Sequence, residues 1–251
     1  MASLILLQNC NNYYYLCDMV FITSLSPSHI NKGVQQKAVN SWVEIGGEVV
    51  SFNHPDEIGV LKAYKNVTFI PTTQTMEHIF GKPYVRINAM MDWAKIQSQK
   101  HICLINSDIE LENNKILLHK IRFQLHDKVV ICHRSDYEKK KEEGKPYVLG
   151  IDAFFLNQKH LDIYPPSLFC MGNCHWDYNM PFTAIKNGIE VINLQNKFAF
   201  HKAHNVQYSP KNWETTGKMF AMEHRVDSDN VGRLTELIFN FLNLNMKKVT
   251  L

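Results

Sequence analysis

The strongest constraint on this chain is a set of short apolar runs that do not alternate with polar residues and that are separated by stretches of helical periodicity. Met19–Ile22, Glu48–Phe52, Val67–Ile70 and Ile102–Ile105 are such runs. A strand with one wet face alternates apolar and polar residues. A strand covered on both faces need not. Between the runs, Val34, Ala38, Trp42 and Ile45 recur at helical spacing and meet a stop at Gly46-Gly47. Ile58–Tyr64 reads as a short helix, and Tyr84, Ile87, Met91 and Ala94 mark another. Strands joined through helices require crossover connections. The expected class is therefore α/β, with a mostly parallel central sheet flanked by helices.

The second half is less regular. Lys128–Cys132, Gly150–Leu156, Glu190–Ile192 and Lys197–Phe200 read as strands, and Glu138–Lys145 as a charged loop or frayed helix. Trp176–Lys186 looks helical and stops at Asn187-Gly188. Val231, Leu234, Leu237, Ile238 and Phe241 form a helical stripe expected to pack in the core. Neither an internal repeat nor a linker-like stretch divides the chain, so residues 19–251 are expected to form one domain. Residues 1–18 lead from a short apolar stretch into Asn11–Tyr15. They make a poor signal peptide and are expected to lie outside the fold as an N-terminal extension.

Composition narrows the partners. A net charge of +3 is too small to argue for nucleic acid, and Lys139–Lys141 is offset at once by Glu142 and Glu143. No apolar run approaches the roughly 20 residues a membrane span requires. The expected setting is cytoplasmic, with any membrane-borne partner met at the surface. Six cysteines in 251 residues do not make a disulfide scaffold. Cys103 and Cys132 sit in apolar runs and read as buried thiols. Cys170, Cys174 and His175, with His201 and His204 downstream, make only a weak zinc pattern.

Function is most legible at His101–Glu112, HICLINSDIELE. Its apolar run ends abruptly in Asn106-Ser107-Asp108-Ile109-Glu110, as at the exposed C-terminal end of a buried strand. In open α/β sheets that end is where ligands bind. An acidic group there can hold a hard cation against a diphosphate.

Several segments, in this order, resemble the GT-A glycosyltransferases, and family 2 in particular. Leu104–Leu111 is similar to the family's strand-end segment, with Asn106 in place of the first Asp of its DxD motif and Asp108 as the second. Lys82–Ala89, KPYVRINA, resembles the helix start before that strand, and Gly150–Asn157 the strand backing the acceptor site. His175-Trp176-Asp177 resembles the element carrying the catalytic base, and Lys197–Lys202 the strand whose terminal His faces the metal. The likeness covers roughly residues 19–205. It departs from the family at Thr23–Pro27, where a Pro-Thr-Tyr-Asn pattern is usual, and at Trp176, where an acidic residue is usual.

The resemblance implies a GT-A fold with a Rossmann-like sheet. It implies a nucleotide-binding half over about 19–112, an acceptor half over about 113–205 and a C-terminal helical region over about 206–251. The activity it implies is a metal-dependent, inverting hexosyl or deoxyhexosyl transfer from a nucleotide-diphosphate sugar to a carbohydrate-type hydroxyl acceptor. Mn²⁺ or Mg²⁺ would be held by Asp108 and His201, with Asn106 and Glu110 secondary and His204 a weaker alternative. Asp177 would take the acceptor proton, and the helix N-terminus would keep it ionised. Thr23, Ser24, Asn53, Glu57, Arg86, Asn88, Asn106 and Ser107 are the expected nucleotide and diphosphate contacts, with Asp56 able to replace Glu57. Asp152 and Trp176 are expected toward the acceptor. Tyr164, Phe169, Trp176 and Trp213 could stack on a sugar, although aromatics so placed more often serve core or loop packing. Two rival readings share the architecture. One is a sugar-1-phosphate nucleotidyltransferase, against which the sparse Gly and Lys of Ser24–Gly33 count. The other is a non-catalytic sugar- or nucleotide-binding module.

Overall fold

The computed structural model describes residues 19–29, 32–204, 209–227 and 230–251. The expected N-terminal extension lies outside the described residues. The nucleotide-side half contains β1 (Met19–Thr23), α1 (Lys32–Glu44), β2 (Glu48–Asn53), α2 (Pro55–Leu61), β3 (Thr68–Pro71), α3 (Glu77–Phe80), α4 (Ile87–Lys95) and β4 (His101–Ile105). After these come β5 (Ile109–Leu111), α5 (Lys115–Gln124), β6 (Lys128–Tyr137) and β7 (Lys145–Asn157). The chain then runs through α6 (Trp176–Lys186), β8 (Glu190–Lys202), α7 (Pro210–His224), α8 (Val231–Asn245) and β9 (Lys247–Val249).

The strands form one sheet in the order β3-β2-β1-β4-β7-β6-β8-β5, with β9 pairing β8. The first four are parallel, and β1 lies between β2 and β4. The chain reverses direction across the sheet at that point, which opens a crevice at the strand C-termini. β7 is antiparallel to both β4 and β6, so it closes the parallel half against the rest.

The strands are covered on both faces, as their lack of alternation implied. Val20, Ile22, Ile102 and Leu104 pack with Met90, Met91 and Ala94 of α4. Met19, Phe21, Cys103 and Ile105 pack on the opposite face with Ala38, Val39 and Trp42 of α1. Successive residues of one strand thus enter two separate cores. Trp42 also donates its indole N–H to the Ile109 carbonyl at 2.9 Å, and the Leu111 amide donates to Ser41 Oγ at 3.0 Å. These two bonds hold β5 beneath α1, close to the acidic strand end.

Several sequence expectations change in detail. Ile109–Leu111 is a strand rather than part of an acidic turn, and Glu110 is buried. β6 extends through Arg134 to Tyr137 because β7 and β8 pair both of its edges. The two short strands expected over 190–200 are one strand, β8, whose pairing with β6 skips from Leu194 to Ala199. The expected charged loop is a single 3-10 turn at Lys141–Glu143. In the C-terminal stripe Leu234 and Ile238 are buried, whereas Leu237 is exposed. α3, α5, α7 and β9 are elements that the sequence pattern does not mark. No helix among the described residues is long and apolar enough to cross a membrane.

Candidate active site

The C-terminal ends of β1 and β4 open into a cavity of about 550 Å³. Of the residues expected from sequence, Ser24, Glu57, Asn106, Ser107, Asp108, Asp152, Trp176, Asp177 and His201 line it, and so does His204. Residues some 180 positions apart in sequence therefore face one space.

Asp108 is the hub. Its Oδ2 stands 3.1 Å from His204 Nε2, 3.4 Å from His29 Nε2 and 3.5 Å from His201 Nε2. His201 and His204 bring their Nε2 atoms within 3.1 Å of each other. Asp136 accepts a hydrogen bond from His201 Nδ1 at 2.9 Å, which orients the ring so that Nε2 faces the cluster. Burial by itself would push the Asp108 carboxyl up. Hydrogen bonds from His201, His204 and His29 outweigh it and hold the carboxyl well below the usual carboxylate range.

His29, Asp108 and His204 offer ligand atoms that all lie within 4.8 Å of one another. Atoms bound at about 2.1 Å to one cation stand roughly 3.0 Å apart in an octahedron and about 3.4 Å in a tetrahedron. The contacts around Asp108 fall on that spacing, so the residues present fit a divalent cation. His204 belongs to this trio, and His201 stands beside it. Cys170, Cys174 and His175 form no such group among the described residues. Burial pushes both thiols up to about 12.

A second polar centre faces the same cavity. Asn106 donates from Nδ2 to Asp152 Oδ1 at 2.7 Å, and Arg134 donates from Nη1 to both Asp152 oxygens at 3.2 Å. Arg134 also donates to Asp136 Oδ1 at 2.8 Å and lies over the Tyr147 ring. One guanidinium therefore ties the carboxylate that orients His201 to the one beside Asp177.

Asp177 sits in the first turn of α6. Burial, with the nearby charge of Asp152, pushes its carboxyl up to about 7, against hydrogen bonds from the backbone of Tyr178, Ile151 and Asp177 itself. The expectation that the helix N-terminus alone keeps Asp177 ionised is thus corrected, because desolvation is the larger effect. His175, the N-cap of this helix, has φ 63°, a left-handed conformation uncommon outside glycine. Its ring contacts Thr216 Oγ1 at 2.9 Å and Thr235 Oγ1 at 3.2 Å. Those contacts anchor the start of α6 to α7 and α8.

The remaining expected residues stand behind the cavity wall or away from it. Thr23 is fully buried at the end of β1. Asn53 donates to the Leu25 carbonyl at 2.8 Å and to Glu57 Oε2 at 3.1 Å, so it supports Glu57. Burial raises the Glu57 carboxyl. Arg86 does not line the cavity. Its guanidinium donates to the Ser167 carbonyl at 2.7 and 3.1 Å, while Asn88 bonds Pro165 and Ser167. Both fasten the loop before Phe169, and the cations that line the cavity are Lys82 and Arg134. Tyr164 and Phe169 are core residues, whereas Trp213 lines the cavity. Sequence reasoning missed His29, Arg134 and Asp136. His29 lies in an aperiodic Ser/Pro loop, and Arg134 lies past the apolar run of its strand. Only tertiary pairing marks either one.

This sheet order and crevice define the GT-A fold, the fold of nucleotide-sugar transferases. A mannosyltransferase from Pyrobaculum calidifontis, solved in complex with GDP-Man and Mn²⁺, superposes with a TM-score of 0.55 at 10% identity, over 90% of this chain and 70% of that one. Staphylococcus aureus TarS gives a TM-score of 0.49 at 12% identity, and this chain spans 42% of its length. No protein-family model matches the chain, and no curated protein matches it in sequence.

Proposed function

We propose that this chain is a metal-dependent, inverting glycosyltransferase. It would move a hexosyl or deoxyhexosyl unit from a nucleoside-diphosphate sugar to a hydroxyl of a carbohydrate-type acceptor, with residues 19–251 as one catalytic domain. The observation that carries this reading is the pairing of two unlike centres on one cavity. One is a strongly acidic carboxylate ringed by imidazoles. The other is a carboxyl titrating near neutrality.

The first centre suits a leaving diphosphate. Asp108 and the neighbouring imidazoles would hold Mn²⁺ or Mg²⁺, which when bound neutralises the charge that develops on the phosphate oxygens. Ser24 and Glu57 stand where a nucleoside would lie beyond the first strands. The Glu57 carboxylate can accept N–H groups from a base. Arg134 holds Asp152 and Asp136 in place and contributes positive potential to the cavity.

The second centre suits proton removal. A base is most effective when its pKa lies near the working pH, and Asp177 at about 7 meets that condition. The acceptor O–H proton passes to the Asp177 carboxylate as the oxygen attacks the anomeric carbon from the face opposite the diphosphate. That displacement inverts the configuration. The transition state has the oxocarbenium-like character of glycosidic chemistry. Trp213 and Tyr147, on the cavity wall, offer flat surfaces to a sugar ring.

The test is incubation with a panel of UDP-, GDP- and dTDP-sugars, Mn²⁺ and simple glycoside acceptors, with the anomeric configuration of the product read by NMR. Nucleoside diphosphate release with an inverted product is expected. Retained configuration would overturn the assignment of Asp177. Pyrophosphate formed from a sugar phosphate and a nucleoside triphosphate would favour a nucleotidyltransferase, and tight binding without turnover a binding module.

A further inference from the structure

We infer that His29, from the loop after β1, is a ligand of the same cation, and that this makes the site selective for Mn²⁺ and similar transition metals over Mg²⁺. The inference rests on the cation reading above and goes beyond it, because neither the apolar–Asn–x–Asp segment nor the strand-end histidine reaches this loop. Three observations support it.

The first is geometry. His29 Nε2 lies 3.4 Å from Asp108 Oδ2, and His29, Asp108 and His204 keep their ligand atoms mutually within 4.8 Å. A histidine that met Asp108 alone would not need to keep the second imidazole within the same sphere. The rings of His29 and His204 stand edge to face at 5.4 Å, an arrangement in which two imidazoles can point their Nε2 atoms at one place.

The second is support for the loop. The Leu25 amide donates to Ser51 Oγ at 2.9 Å, and Asn53 donates to the Leu25 carbonyl at 2.8 Å. Gln35 grips Ser26 twice, accepting from its amide and donating to its carbonyl, each at 2.9 Å. The loop is therefore bonded to β2 and α1 three to four residues before His29. Its path is set by contacts that do not depend on a cation, and the imidazole is delivered to a prepared position.

The third is ligand chemistry. Mg²⁺ is best served by oxygen ligands and water, whereas imidazole suits the later divalent metals. A site with one carboxylate and two imidazoles, and with a further imidazole alongside at His201, departs from what Mg²⁺ requires. Because the loop carrying His29 also places Ser24, Ser26 and Ser28 on the cavity, capture of the cation fastens the donor-side wall to the end of β4.

The experiment uses the full chain and Mn²⁺ alone, with no nucleotide. Binding is followed by EPR, nitrogen coordination by electron spin-echo modulation, and selectivity by competition with Mg²⁺. The wild type should bind one Mn²⁺ with directly coordinated nitrogen and resist displacement by a large excess of Mg²⁺. His29→Ala and His29→Gln should each weaken Mn²⁺ binding by about tenfold or more and narrow the Mn²⁺-over-Mg²⁺ preference, with the nitrogen coupling reduced by one imidazole while that of His204 remains. A thermal melt of each variant without metal should match wild type, since the loop's own bonds remain. Unchanged Mn²⁺ affinity and nitrogen coupling in both variants would overturn the role of His29. If Asp108→Ala still abolished binding in that case, the cation reading would stand without it. If Asp108→Ala also bound Mn²⁺ normally, the cation reading itself would fail.

Discussion

Asp177 gives the most quantitative prediction. A carboxyl titrating at about 7 is roughly one-tenth ionised at about pH 6 and nine-tenths ionised at about pH 8. Only the ionised form can accept the acceptor proton. The rate at saturating donor and acceptor should therefore rise about tenfold between those two values. An aspartate with its ordinary pKa would be fully ionised across that range, and the profile would be flat. The assay is the initial rate of nucleoside diphosphate release against pH, with Mn²⁺ saturating at every point. Histidines titrate in the same window, so Asp177→Asn is measured alongside. It should lose about 10²–10⁴ in rate, and its residual activity should lack the slope. Asp152→Asn removes a charge that raises Asp177, so the midpoint should move down. A flat wild-type profile, or a slope that survives in Asp177→Asn, would refute the reasoning.

Stability predictions test the packing that positions the site, each read by chemical denaturation. Trp42→Phe removes both the indole N–H, stranding the buried Ile109 carbonyl, and part of a fully buried ring system, and should cost at least about 1–3 kcal/mol; a change under about 0.3 kcal/mol would show that neither the bond nor the packing contributes. A Cβ at Gly47 would overlap the Phe21 ring, so Gly47→Ala should destabilise by about 1–3 kcal/mol through overpacking. Lys141→Met removes the cation from buried Glu110, which also accepts from Tyr137 Oη, and should cost about 1–3 kcal/mol because Lys141 is partly exposed. Lys141→Met combined with Glu110→Gln should recover part of that loss.

The parallel half was legible in the sequence because physical necessity wrote it there. β1, β2 and β4 are covered on both faces, so their residues had to be largely apolar without alternation. Asp108 was legible because the polar break after Ile105 marks a strand end. Where a residue's role is fixed by partners far along the chain, local pattern gave no sign. Glu110 reads as a secondary cation ligand beside Asp108, yet it does not line the cavity and is buried where Tyr137 and Lys141 satisfy it. Arg86 looked like a diphosphate ligand at a helix start, but the loop carbonyl of Ser167 claims its guanidinium. Arg134 and His29 had no periodic context at all. Their meaning comes from Asp152, some 18 residues away, and Asp108, some 79 residues away. Asp177 was found at its helix start, but its elevated pKa depends on burial and on a neighbour in β7, neither of which a helix signal carries.

The central claim is that Asp108 and Asp177 serve two separate steps in one cavity. Calorimetric donor binding with Mn²⁺, and nucleoside diphosphate release, measured on the same samples of wild type, Asp108→Ala and Asp177→Asn, tests it most directly. The account predicts that Asp108→Ala loses both binding and release, while Asp177→Asn binds donor like wild type and loses release. Donor binding undiminished in Asp108→Ala, or full release by Asp177→Asn, would contradict it.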